Sequence, residues 1–173
     1  MNLSERQALL RAKYRANPEE AMVTDRAITT GITPSDPVHS EVMPMPDCKV
    51  VVPTGVHRAH GGLHDAPTPG DLLCAALASC MDSTLRMVAN SLRVELEVLT
   101  VEVTADVDVR GSLAMDQTVA IGFQAMRCSV KLRAKPGTDA DKLEKLKVTA
   151  EHCCIVRQTL TKGVPIAMTF DGP

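Results

Sequence analysis

The chain has 173 residues, enough for one domain with a short extension. Its 45% hydrophobic and 23% charged content excludes a disordered chain. A formal net charge of −2 and a pI near 6.2 offer no electrostatic ground for nucleic acid or an anionic membrane as partner. With no Trp, one Tyr and two Phe, the platforms for stacking on bases or sugars are missing. The opening residues lack the apolar stretch of a signal peptide, and no apolar run approaches the ~20 residues of a bilayer crossing. The expectation is a cytoplasmic protein without membrane contact, in which six cysteines are free, catalytic or metal-binding thiols and not a disulfide framework.

Ser4 and Gln7 have the spacing of a capping box, and Leu9, Leu10 and Tyr14 follow on a helical period. Asn17-Pro18-Glu19-Glu20 reads as a second helix start, so residues 1–24 form a charged helical extension before a domain at 25–173. Residues 27–32, 38–43 and 49–56 are short strand candidates separated by Pro-containing turns, and together suggest an antiparallel meander with Pro53 on an edge. A loop rich in His, Gly and Pro follows over residues 57–69.

The stretch PTPGDLLCAALASCMDSTLRMVANS comes next, with Pro69 at a first helical position and an apolar or small residue at nearly every step to Cys80. Apolar on most of its faces, it reads as a buried helix with other elements packed around it. After it, Leu99, Val101, Val103, Ala105, Val107 and Val109 alternate with Thr and acids, the pattern of a half-buried strand. Leu96 and Val98 are out of phase, which places a bulge or loop end near Val98. Arg110-Gly111-Ser112 breaks the run, and residues 119–134 form the next extended stretch, with Met126, Cys128, Val130, Leu132 and Ala134 on one face. Thr138 then caps a helix reaching His152-Cys153-Cys154, a short helix ends at Gly163, and residues 165–170 form a last strand.

The cysteines are not equivalent. Cys48, Cys74 and Cys128 read as packing, since free cysteine behaves as a small hydrophobe. Cys80 and the Cys153-Cys154 pair lie on separate helices, and two such thiols form a redox pair if their α-carbons come within about 7 Å. Zinc is the competitor, with His152, Cys153, Cys154 and Cys80 as ligands, but without a C-x-x-C pair tetrahedral closure is awkward. His57, His60 and His64 form a looser cluster in a solvated loop. No G-x-S-x-G, P-loop or G-x-G-x-x-G is present.

The helix motif PTPGDLLCAALASCMDSTLRMVA together with AEHCCIVRQTL resembles the OsmC/Ohr family of thiol-dependent peroxidases. TADVDVRGSLAMDQTVAIGFQAMRCSVKL resembles that family's strands, and RQALLRAKYRANPEEAMVT the extension of one OsmC-like branch. The resemblance implies an α/β fold of α+β type, with antiparallel sheets wrapped around two buried central helices in an intertwined homodimer. It implies Cys80 as the peroxide-reacting cysteine and Cys154, with Leu160 at the family's spacing, as the resolving one. The better-studied peroxidases carry a Glu ten residues before the first cysteine, paired with an Arg; this chain has Gly70 there and Asp71 one residue on. Asp71 is therefore the candidate acid, or a residue that merely favours the helix N-terminus, and Arg58 is the candidate cation. The implied activity is reduction of organic hydroperoxides through a Cys80 sulfenate and a Cys80–Cys154 disulfide, in an antioxidant stress response. The reductant is a lipoyl-type or other small dithiol, and no cofactor is needed. The alternative is a non-catalytic OsmC-like protein that senses redox state or binds a small ligand.

Overall fold

The computed structural model describes residues 2–29 and 33–172. It divides into two compact units, Met1–Ala75 with Thr104–Arg127, and Ala76–Val103 with Cys128–Pro173.

In the first unit the chain opens with helix α1 (Leu3–Ala16), followed by a 3-10 turn at Pro18–Ala21. The N-terminal cap is Asn2 and not Ser4: its side chain accepts the Glu5 N–H at 3.0 Å and Glu5 accepts the Asn2 N–H at 2.9 Å. The reciprocal Asn-x-x-Glu pairing satisfies two orphan donors, so the helix starts one residue before Ser4. No residue of α1 is buried, consistent with its charged sequence.

Strands β1 (Ala27–Thr29), β2 (His39–Pro44) and β3 (Val52–Gly55) form the expected antiparallel meander in the order β1-β2-β3. Ala27 pairs with Pro44, and His39 with Gly55. Pro53 is on an outer strand, where its missing N–H disturbs no inner ladder. The end of the first strand candidate, residues 30–32, lies outside the described residues. The loop beyond β3 folds back on the strand: the Gly55 N–H donates to the Pro67 carbonyl at 3.0 Å and the His64 N–H to the Val56 carbonyl at 3.1 Å. Gly62 makes that approach feasible, because a Cβ there would stand 2.1 Å from the Val56 oxygen.

Helix α2 (Pro69–Leu92) runs through both units. By length and composition it is apolar enough to cross a membrane, which corrects the sequence-based reading that no segment approaches that length. It also carries an Asp82–Arg86 ion pair, with Nε 2.7 Å from the carboxylate. Nor is it buried all round. Leu77, Met81, Thr84, Leu85 and Ala89 are buried, whereas Ala75, Ala76, Ser79, Ser83 and Met87 are exposed.

Strands β4 (Leu96–Asp106) and β5 (Ala125–Ala134) pair as a two-stranded sheet. Bonds at its two ends, Gln124 N–H to the Asp106 carbonyl and Lys135 N–H to the Glu95 carbonyl, both 2.9 Å, fit one antiparallel register. Val98 and Leu99 are consecutively half-buried, so β4 changes its covered face where the sequence pattern slips. Both end bonds fit one register, so no net residue is inserted between them. Between the strands, Arg110-Gly111-Ser112 lies in the single-turn helix α3 (Val109–Ser112), and a Cβ on Gly111 would meet the Val119 oxygen at 2.8 Å. Of the extended stretch expected from residue 119, only the part from Ala125 is strand.

Helix α4 (Ala140–Cys153) is capped by Asp139, whose side chain accepts the Asp141 N–H at 2.9 Å, and not by Thr138. Helix α5 (Ile155–Lys162) follows and ends at Gly163, whose φ of 68° lies in the region glycine enters freely. The apolar core belongs to the second unit: Leu77, Met81, Leu85, Ala89, Val94, Leu146, Ala150 and Cys154. Residues 165–170 form no strand. Val164, Ile166, Met168 and Phe170 are 57–88% exposed, and among the described residues no strand pairs with this segment.

Candidate functional site: a pair of thiols in the second unit

Cys80 lies mid-way along α2, at the border between its buried and exposed faces. At about 100° per residue, buried Leu77 and Thr84 flank it on one side and exposed Ala76 and Ser83 on the other. The result is a half-buried thiol. Thr84, itself buried, donates its hydroxyl to the Cys80 carbonyl at 2.7 Å, which adds a side-chain tie to the backbone at this turn.

Cys154 is the elbow between α4 and α5, serving as the C-cap of one and the N-cap of the other. Its N–H donates to the Ala150 carbonyl at 3.0 Å, and its own carbonyl accepts the Gln158 N–H at 3.0 Å. The elbow is braced further: Arg157 pairs with Glu151 at 2.5 Å, and the Gln158 side-chain amide donates to the His152 carbonyl at 3.1 Å. The side chain of Cys154 is sealed in the core, with 0% exposure.

Cys80 lies close enough to Cys154 in the second unit to act on its thiol. Burial pushes the Cys154 thiol up from its ordinary value; the Arg157 amide at the start of α5 pulls it back, and Cys80 beside it pushes it up again. The charge of Cys128 on β5 adds a smaller push in the same direction, so a third thiol lies near this pair.

The remaining cysteines differ from one another. Cys153, next to Cys154, is exposed, so the vicinal pair splits between solvent and core and only Cys154 joins Cys80. Cys74 is half-buried, its thiol pushed up by burial and then by Asp71. The packing role expected of Cys48 and Cys128 is not what the chain displays, since both are exposed. Cys48 sits in a 3-10 turn at Pro46–Cys48, not a strand, and its thiol donates to the Met45 sulfur at 3.4 Å. Cys128 lies on the strand face assigned to it, and desolvation pushes its thiol up, but little of the chain covers it. Among the described residues no three His, Cys, Asp or Glu are grouped to hold a metal ion.

Asp71 and Arg58 belong to the first unit. One Asp71 carboxylate oxygen accepts the Thr68 backbone N–H and the Thr68 hydroxyl, both at 2.8 Å, and the Asp71 N–H donates back to that hydroxyl at 3.2 Å. This is a capping box for α2, and the Thr68 amide is the main reason the carboxyl is held below its ordinary value. His64 Nε2 stands 3.8 Å from the same oxygen, and the His57 and His64 rings are 4.3 Å apart. Arg58 opens a 3-10 turn at Arg58–His60, and its Nε donates to the Leu63 carbonyl at 3.3 Å. His60, from the same cluster, bonds Ser112 at 2.7 Å.

Sequence reasoning missed three contributors: Thr68, Thr84 and the Glu151–Arg157–Gln158 brace. The Thr68-x-x-Asp71 spacing before an apolar run was available as a signal. The brace was not, because it exists only once α4 and α5 meet at Cys154.

The second unit of this α+β chain thus holds two thiols near each other, one on the flank of a long helix and one sealed at a helix elbow. The chain belongs to the OsmC family: the family model described as OsmC-like protein matches residues 61–169. Its fold is similar to that of an OsmC-like protein from Mycoplasma pneumoniae, with TM-score 0.64 and 12% identity over 82% of this chain and 89% of that one. It is also similar to organic hydroperoxide resistance proteins from Legionella pneumophila and Elizabethkingia anophelis. The first gives TM-score 0.53 and 22% identity over 81% of this chain and 90% of its own. The second gives TM-score 0.55 and 20% identity over 83% and 91%. No curated protein matches the chain.

Proposed function

We propose that the protein is a thiol-dependent peroxidase that reduces organic hydroperoxides to alcohols. The observation that carries this reading is the proximity of Cys80 to the buried Cys154, brought together from separate helices of one unit. Cys80, as thiolate, attacks the peroxide oxygen distal to the organic group. The O–O bond breaks, the alkoxide takes a proton and leaves as alcohol, and Cys80 becomes a sulfenic acid. The Cys154 thiolate then attacks the Cys80 sulfur; hydroxide departs as water with a proton, and the disulfide forms. A dithiol restores both thiols by exchange and is itself oxidised by two electrons.

Apolar neighbours of Cys80 on α2, such as Leu77 and Met81, support an organic peroxide over hydrogen peroxide. Arg58 is the proposed cation of the mechanism and Asp71 its proposed acid. A homodimer is the proposed assembly. The alternating apolar residues of the C-terminal segment support it, since they form a surface that a second copy would cover. The cytoplasm is the proposed compartment, where six free cysteines would stay reduced.

A redox sensor is the second reading. It is favoured by one observation, the burial that pushes the Cys154 thiol up and slows its attack. The deciding assay is turnover of cumene hydroperoxide with dithiothreitol or dihydrolipoamide, comparing wild type with Cys80→Ser, Cys154→Ser and Arg58→Ala. Turnover lost in both cysteine variants and lowered in Arg58→Ala supports the peroxidase and the role of Arg58. Full turnover in Arg58→Ala removes that residue from the mechanism. Oxidation without cycling supports the sensor, and thiols that stay reduced under peroxide remove both readings.

A further inference from the structure

The two sulfurs of the pair differ in access. Cys80 is half-buried at the border of an exposed helix face, whereas Cys154 has no exposed surface. Cys154 is also fixed from both directions. Its N–H is tied to Ala150, its carbonyl to Gln158, and the elbow is clamped by Arg157–Glu151 and by Gln158 on His152. Turning its sulfur outward requires parting α4 from α5 and exposing neighbours such as Ala150, itself 0% exposed.

Thiol–disulfide exchange proceeds by attack of a thiolate on one sulfur while the other departs. We propose that the reductant attacks the disulfide at the Cys80 sulfur, with Cys154 as the departing thiolate retained in the core. This rests on the Cys80–Cys154 disulfide of the preceding reading and adds the direction in which it is opened. The incoming thiolate forms a new S–S bond to Cys80 as the Cys80–Cys154 bond breaks, and Cys154 then takes a proton from water. The second thiolate of the reductant attacks the first reductant sulfur, displaces Cys80 as thiolate and closes a cyclic disulfide. Two electrons pass from dithiol to protein. The Arg157 amide at the start of α5, which pulls the Cys154 thiol down, favours the departing charge. Burial opposes that stabilisation, so it is access and not leaving-group quality that sets the direction.

The test separates this inference from the peroxidase reading by making the disulfide with diamide. The oxidised protein is pulsed with 2-mercaptoethanol, quenched in acid, alkylated and mapped by peptide mass spectrometry. The expected result is the mixed disulfide on the Cys80 peptide and an alkylated Cys154. An adduct on the Cys154 peptide, or equal adducts on both, overturns the inference. A second measurement uses the reduced protein with 5,5′-dithiobis(2-nitrobenzoic acid). Because a sealed thiol reacts only through local opening, Cys80 is expected to react at least about 100-fold faster than Cys154, and equal rates overturn the inference. If diamide gives the disulfide and cumene hydroperoxide does not, the peroxidase reading fails while the direction of attack is still decided. If diamide gives none, both fail.

Discussion

The pH dependence of disulfide formation tests the proposed resolving role of Cys154, a thiol buried in the core. An ordinary thiol of pKa near 9.0 is about 1% ionised at pH 7, and burial pushes Cys154 further up, so a smaller share is thiolate. Sulfenic acid condensation needs that thiolate. Below the Cys154 pKa its rate therefore climbs about tenfold per pH unit, without levelling between pH 6.5 and 8.5. The assay is single turnover with excess cumene hydroperoxide, following the second phase, whose rate is independent of peroxide concentration, by acid quench and mass spectrometry of the Cys80–Cys154 disulfide. In Cys154→Ser that phase is absent and Cys80 sulfenic acid accumulates for capture by dimedone. A second phase that changes less than about threefold between pH 7 and 8.5 would refute the reasoning, because it would mean a thiol already ionised despite its burial.

Leu146→Ala deletes a fully buried side chain of α4 and should cost about 2–5 kcal/mol, read as a lower urea midpoint at constant slope; a loss under about 1 kcal/mol would mean the core around Leu146 collapses freely. Thr68→Ala removes the hydroxyl that both accepts from and donates to Asp71, and should destabilise by about 1 kcal/mol. The Asp71 carboxyl is held below 3.8 in the folded chain, so its contribution is present above that pH and is lost as pH falls through the folded value. The stability difference between wild type and Asp71→Asn should thus be constant above about pH 5 and shrink below pH 3.8, and a difference that grows in acid would contradict the capping role. Gly62→Ala places a Cβ 2.1 Å from the Val56 oxygen, so the loop must move, and thermal unfolding should register about 1–3 kcal/mol of destabilisation.

Much of this protein is legible in its sequence because local chemistry decides it. The Pro-Gly-Asp start and the Ala- and Leu-rich run of α2, the Thr–acid alternation of β4 and the glycine after α5 each specify an element through period or cap, with no reference to distant residues. Caps were legible only to within a residue or two, because Asn2 competes with Ser4 and Asp139 with Thr138, and the better hydrogen-bond geometry wins. The family resemblance implied Cys154 over Cys153, but period and composition gave no physical reason for it; the tertiary structure supplies one. Cys153 and Cys154 are adjacent and chemically identical, yet the elbow between α4 and α5 turns one outward and the other into the core beside Cys80. It also decided that α2 is covered on one face only, and that the alternating residues after Gly163 stay unpaired. Burial depends on what the fold brings alongside each residue, and neither period nor composition carries that information.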